Sequence, residues 1–219
     1  MIARQTKLDV SQVNGINQDK WLFFLAVALS ALATTFLPDE FAYLRYERSA
    51  LMEGELWRFL SAHLTHLNSA HLLLNLFGLA LICELLWGRM LLRHGMGLLA
   101  FSAVFISTCL WWLNPELLWY AGLSGVLHGL WAGCALFGFA SLTEALQRSR
   151  LPCHIGALLL VAKLLVEFFH GTSASTAELI GGDVVSASHL YGALAGTIYV
   201  LILGCARTRH LSRGSLQQL

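Results

Sequence analysis

The chain has 219 residues, of which 57% are hydrophobic and only 12% charged, and its mean hydropathy is strongly positive. No ordinary water-soluble domain of this size has that composition, so the chain reads as a membrane protein. A formal net charge of +1 offers no electrostatic footing for nucleic acid as a partner.

A spanning helix needs roughly 20 mainly apolar residues. Six stretches approach that length: residues 21–37, 70–87, 96–113, 124–142, 154–169 and 188–206. A closed β-barrel is the other way to cross a bilayer, but its strands read as short alternating segments, and these runs are continuous and rich in Leu, Ala and Gly. The fold class is therefore all-α, a polytopic bundle of six transmembrane helices over residues 21–206. Cytoplasmic segments at 1–20 and 207–219 flank it. Ala31-Leu32-Ala33 resembles a signal-peptide cleavage site, but the polar, mixed-charge segment before the first run is long for an n-region, so that run is read as a span.

Taken along the chain, the first outer loop runs from Pro38 to about Ser69 and is the longest and most mixed in charge. It is expected to hold structured interfacial segments. The second span carries His71 and Asn75 at i, i+4, hence on one helix face, and Glu84 further in. The loop before the fourth span, "NPELLWYAGL", has no basic residue and several large apolar ones. Non-helical backbone at membrane depth is tolerated only where protein or a watery cavity covers it, which predicts a cavity beside Ser124.

The fourth span opens "AGLSGVLHGLWAG", with Ser124 flanked by Gly122 and Gly125, His128 one turn on, and Gly125, Gly129 and Gly133 at every fourth position. In the fifth, Lys163 and Glu167 stand at i, i+4 and read as a mutually neutralising pair facing the bundle interior. The sixth opens "SHLYGALAG", with His189, Gly192 and Gly196. Cys83, Cys109, Cys134, Cys153 and Cys205 lie in or beside apolar spans with no C-x-x-C, and read as small core residues rather than disulfides or metal ligands.

The basic residues orient the bundle. With the N-terminus inside, the cytoplasmic side holds Arg4, Lys7, Lys20, Arg89, Arg93, Arg148, Arg150, Arg207, Arg209 and Arg213, against only Arg45, Arg48 and Arg58 outside. This bias places both termini in the cytoplasm. The second, fourth and sixth spans then run inward from the outer face, and their first turns share one depth. That layer receives His71, Asn75, Ser124, His128 and His189. A single intramembrane polar group is often only a helix-to-helix hydrogen bond, but five at one depth point to chemistry.

The glycine stripes let the fourth and sixth helices approach closely, which brings the Ser124 hydroxyl towards the His189 ring. A serine with a histidine base, at a helix start where N–H groups are free and the dipole is positive, is a nucleophile arrangement. His71 and Asn75 could donate to a developing oxyanion. Asp183 and Glu178 sit in the loop before the sixth span, so no third acid is placed to orient His189, and a Ser–His dyad is expected rather than a triad. His128 lies one turn from Ser124 and stays open as an auxiliary or alternative base.

"WRFLSAHLTHLNSAHLLLNLFG", "GLSG" and "SHLYGALAG" together resemble the rhomboid intramembrane serine proteases, in order and on the expected spans, from about Gly54 to Ala206. The resemblance implies Ser124 as nucleophile, His189 as base, and His71, Asn75 and Gly122 at the oxyanion and substrate site, with no metal and no cofactor. Trp57 and Arg58 would belong to the first outer loop's structure, and Glu84 would be structural. The strings "GLSGVLHG" and "HLYGALAG" look most like rhombosortases, a bacterial subgroup associated with proteins that end in a Gly-Gly motif, a hydrophobic span and a basic tail. This implies transmembrane substrates, and a bacterial inner-membrane enzyme with its site towards the periplasm. The departure is His128, where many members carry an aromatic ring.

Other classes fit less well. A metalloprotease using His63, His66 and His71 lacks H-E-x-x-H, and the spacing gives no common helical face. A soluble hydrolase elbow G-x-S-x-G fails at Val126. A haem or ion carrier would need membrane histidines paired on facing helices. A catalytically inactive rhomboid relative that binds membrane helices is the main rival, although such proteins usually lose the serine or histidine kept here.

Overall fold

Each of the six apolar stretches largely coincides with a long helix in the computed structural model, which describes residues 10–35, 40–87, 90–140 and 150–216. These helices are α1 (Val10–Thr34), α5 (Ser69–Leu85), α6 (Leu92–Leu113), α7 (Ser124–Ala140), α8 (Arg150–His170) and α10 (Ser186–Leu216). Leu92–Leu113, Leu151–His170 and Ser186–Cys205 are long and apolar enough to cross a membrane, while Ser69–Leu85 and Ser124–Phe137 are apolar but shorter. The chain is a multi-pass membrane protein. Arg4, Lys7, Arg89 and Arg148, four of the orienting cations, lie outside the described residues.

Helix α7 is central, packed by α5, α6, α8 and α10. An all-round apolar helix is a buried one, and Val126, Leu130, Cys134 and Ala135 are enclosed accordingly. The outward faces are apolar too: Leu158, Phe168 and Phe169 are each at least 70% exposed. Water would penalise that surface and lipid does not.

The α7–α10 contact is as close as the glycine stripes predict. A Cβ on Gly192 would lie 1.9 Å from the Gly125 carbonyl oxygen, and one on Gly196 would lie 2.1 Å from that of Gly129. Two backbones therefore touch directly, and the first turns of both helices are brought side by side.

The first outer loop is structured, as its mixed composition suggests. It folds into α2 (Glu40–Leu44), β1 (Tyr46–Glu47), α3 (Arg48–Met52) and α4 (Arg58–Ser61). Strand β1 pairs antiparallel with β2 (Trp119–Tyr120), with Tyr46 opposite Tyr120 and Glu47 opposite Trp119. Two arginines hold this layer. Arg48 donates from Nη2 to the carbonyls of Leu110, Trp111 and Asn114, and from Nε to that of Leu117, all at 3.0 to 3.1 Å. The last carbonyls of a helix have no partner within it, and here one guanidinium satisfies the end of α6. Arg58 is buried, donates to the carbonyls of Ala42 and Arg45, and pairs with Glu55. Trp57 packs on Tyr43 at the loop's exposed surface, so Trp57 and Arg58 both belong to the first outer loop's structure. At the other end, Lys20 and Glu84 form an ion pair at 2.6 Å that ties α1 to α5.

Candidate active site

Ser124 is the first residue of α7, so its hydroxyl stands where the helix still has unsatisfied N–H groups and its dipole is positive. Gly122 makes that approach possible. Its φ of +126° favours glycine, and a Cβ there would lie 2.7 Å from His71 Cε1 and 2.8 Å from Nε2. Its N–H, however, donates to the Ala62 carbonyl at 2.9 Å, and its own carbonyl accepts from the Tyr120 hydroxyl at 2.8 Å. Gly122 thus borders the expected oxyanion and substrate site against His71, and contributes shape there rather than a free N–H. Its amide proton is already spent tying the loop before α7 to the first outer loop.

Helix α5 presents His71 and Asn75 to the same space. Asn68 caps the helix, its Oδ1 accepting from the His71 N–H at 2.8 Å. The Leu67 N–H approaches His71 Nδ1 at 3.4 Å. That nitrogen then acts as acceptor, which leaves the proton on Nε2, the edge of the ring that faces Gly122. Asn75 is only 4% exposed and its Nδ2 has no hydrogen-bond partner, an uncommon state for a buried amide.

On α10, His189 Nε2 lies 3.0 Å from Ser124 Oγ. The ring of His128 stacks on that of His189, centroids 4.1 Å apart and planes within 14°. His128 Nδ1 is 2.7 Å from the Ser124 carbonyl oxygen, and its Nε2 is buried without a partner. The two candidate bases have different partners. His128 is bonded back onto its own helix, and His189 faces the hydroxyl.

An acid does lie beside His189, which the sequence did not lead one to expect. Glu167 Oε2 lies 2.8 Å from His189 Nδ1, while Oε1 binds Lys163 Nζ. The Lys163–Glu167 pair forms as expected, but it is not self-contained. The end of α8 lies beside the start of α10, as expected of consecutive antiparallel spans. Glu167 could have been found from that alone.

Serine, both histidines' helices and the amide border one cavity of about 860 Å³, lined among others by His71, Asn75, Ser124, Lys163, Glu167 and His189. Leu117, Leu118, Trp119 and Tyr120 of the loop before α7 form part of its wall. The cavity predicted beside Ser124 is present, and the loop lines one side of it.

His128, Glu167 and His189 offer donor atoms within 4.8 Å of one another. Metal ligation needs lone pairs that converge on one point. The parallel stack runs the two imidazole planes side by side, and both His189 nitrogens already have partners, so these residues do not fit a metal centre. Nor do His63 and His66. His63 Nε2 bonds the Ala103 carbonyl and Ser107 Oγ, and His66 Nδ1 bonds the Leu64 carbonyl. Burial pushes each of these loop histidines down to about 4, so they are neutral supports of the outer layer.

A family-wide profile of the Rhomboid domain matches residues 53–206. The chain belongs to the rhomboid family. That family generally comprises intramembrane serine proteases, and residues 53–206 of this rhomboid contain every site residue named above. Comparison with individually curated proteins returns no significant match.

Proposed function

We propose that this rhomboid is an intramembrane serine endopeptidase with Ser124 as nucleophile and His189 as general base. One observation carries the reading: Ser124 Oγ, at the head of a helix and on the wall of a cavity, lies 3.0 Å from His189 Nε2. Ser124 Oγ attacks the scissile carbonyl carbon as its proton passes to Nε2. The developing oxyanion is met by His71 Nε2–H, by the unpartnered Asn75 amide, and by the first N–H groups of α7. The leaving amine takes the proton from Nε2, and an acyl-enzyme remains. Attack of water, or of an amine acceptor, on that ester releases the product.

The alternative, a rhomboid that binds membrane helices without cutting them, leaves the intact serine–histidine contact without a purpose. The substrate class follows from depth. With six crossings and both termini cytoplasmic, the site opens towards the periplasmic side of a bacterial inner membrane. The scissile bond then lies near the outer end of a substrate's transmembrane helix. A regular helix shields its carbonyls, so the substrate must unwind locally, and each glycine weakens a helix by about 1 kcal/mol. A Gly-Gly just outside a C-terminal span suits that need, in agreement with the rhombosortase resemblance: the enzyme removes C-terminal anchors from exported proteins.

A serine-directed phosphonate is expected to label the wild type and not Ser124→Ala. Labelling that survives the substitution overturns the protease reading. In cells, mass spectrometry is expected to find exported proteins trimmed at Gly-Gly only when Ser124 is intact. Cleavage of single-span proteins with such tails left whole would return the enzyme to the general rhomboid class.

A further inference from the structure

His189 is held at both ring nitrogens, and the two contacts do different work. Nε2 faces Ser124 Oγ at 3.0 Å and Nδ1 faces Glu167 Oε2 at 2.8 Å. A carboxylate oxygen can only accept, so the proton of a neutral His189 resides on Nδ1. The lone pair then sits on Nε2, towards the serine, which is the tautomer a general base needs. The stacked His128 ring fixes the plane of His189 but has no polar contact that selects a tautomer, because its Nδ1 is engaged by the Ser124 carbonyl.

Glu167 is more than one half of an ion pair. Its side chain is 11% exposed, whereas that of Lys163 is 39% exposed. A pair formed only for neutralisation needs one carboxylate oxygen and would follow the lysine to the wetter side. Here each oxygen has its own partner, and the second is a His189 side chain only 4% exposed. Taking a carboxylate out of water is costly unless it is paired and hydrogen-bonded. Lys163 supplies the counter-charge and His189 uses the remaining acceptor.

We infer that Glu167 is a positioning residue that extends the pair into a Ser124–His189–Glu167 triad, with Lys163 as its counter-ion. This inference rests on the protease reading and deepens it. During acylation the serine proton moves from Oγ to Nε2, and the Nδ1 proton stays on the ring, donated to Oε2. Glu167 accepts that hydrogen bond without taking the proton, and its charge offsets the imidazolium that forms. When the leaving amine takes the Nε2 proton, the ring returns to the same tautomer. With its side chain 11% exposed, the carboxylate meets little competition from solvent, so its effect on ring orientation is large.

The test uses the full chain in lipid nanodiscs, with two readouts. The first is the second-order rate of phosphonate labelling. Glu167→Gln is expected to slow it about 10²-fold or more, the lower end of what a positioned general base contributes. The amide can present N–H to Nδ1 and so hold the wrong tautomer. Glu167→Asp, which keeps the charge on a shorter stem, is expected to recover part of the loss, and Lys163→Met to cost about tenfold or less. The second readout is the His189 Nδ1–H proton resonance in histidine-labelled enzyme, assigned by its loss in His189→Gln. It is expected downfield and exchange-protected in the wild type, and to move upfield or vanish in Glu167→Gln.

Wild-type labelling rate in a folded Glu167→Gln enzyme overturns the inference. So does a wild-type spectrum without the protected Nδ1–H, which decides the matter even where a Glu167 variant fails to fold. These outcomes are distinct from failure of the protease reading, which is a wild type that the phosphonate does not label through Ser124.

Discussion

His128 and His189 stack as parallel rings, yet their nitrogens face different partners, and those partners separate their roles. His189 is bonded to the serine hydroxyl and to a carboxylate. His128 is bonded to the serine carbonyl, with its other nitrogen unpartnered. A phenylalanine at 128 can keep the stack and loses only the back-bond to α7. His128→Phe is therefore expected to retain labelling within about tenfold, whereas His189→Ala loses about 10²-fold or more. Phosphonate labelling rates of the two variants, compared at equal folded fraction, check this; equal abolition would make His128 part of the proton path. At this scale the sequence names the candidates, because i, i+4 spacing puts Ser124 with His128 and His71 with Asn75. It leaves open which nitrogen meets which oxygen, since that depends on rotamers set by the neighbouring helix.

Among the elements, α7 and α10 carry the site, and their separation is set by glycine. Gly192 stands where a Cβ would meet the Gly125 carbonyl oxygen at 1.9 Å, while a Cβ on Gly204 of the same helix would meet nothing within 4 Å. Gly192→Ala must push two backbones apart, and overpacking of this kind costs about 1 to 3 kcal/mol. It also lengthens the Ser124–His189 contact. Gly204→Ala is expected to be neutral or slightly stabilising, since alanine is the better helix former. Thermal melts in detergent, with labelling rates alongside, distinguish the two: Gly192→Ala lowers both, and Gly204→Ala lowers neither. The pairing of α7 with α10 was legible as two stripes of small residues at four-residue spacing. The Arg48 clasp on the end of α6 was not, because it joins residues more than 60 apart and no local pattern marks an arginine as a cap for a distant helix.

For the molecule as a whole, the predicted topology has an experimental signature independent of catalysis. The first turns of α5, α7 and α10 meet at one cavity, and the basic residues favour the opposite side as cytoplasmic. Reporter fusions after Gly171 are expected to read as periplasmic, and fusions at Arg148 and Leu219 as cytoplasmic. The reverse pattern would put the cavity on the cytoplasmic face and remove exported proteins as substrates. Between those faces the outer layer is a covered one. The paired strands β1 and β2, the clasp of Arg48 and the bond from the Gly122 N–H to the Ala62 carbonyl join the first outer loop to the loop before α7, so that these backbone groups are bonded within the protein, as membrane depth demands.

The sequence by itself determined that this is a helical membrane protein, which residues are polar at one depth, and which two helices touch. Each of these follows from local quantities: apolar run length, spacing on one helix face, and the absence of side chains along a stripe. Tertiary structure alone decided three matters. It spent the Gly122 amide on the Ala62 carbonyl, it assigned His189 rather than His128 to the serine hydroxyl, and it gave Glu167 a second partner 22 residues away. Each is a choice between hydrogen-bond partners that spacing permits equally. Only the packed positions of neighbouring helices, which glycine contact lets approach backbone to backbone, bring one partner within bonding distance and leave the other outside it.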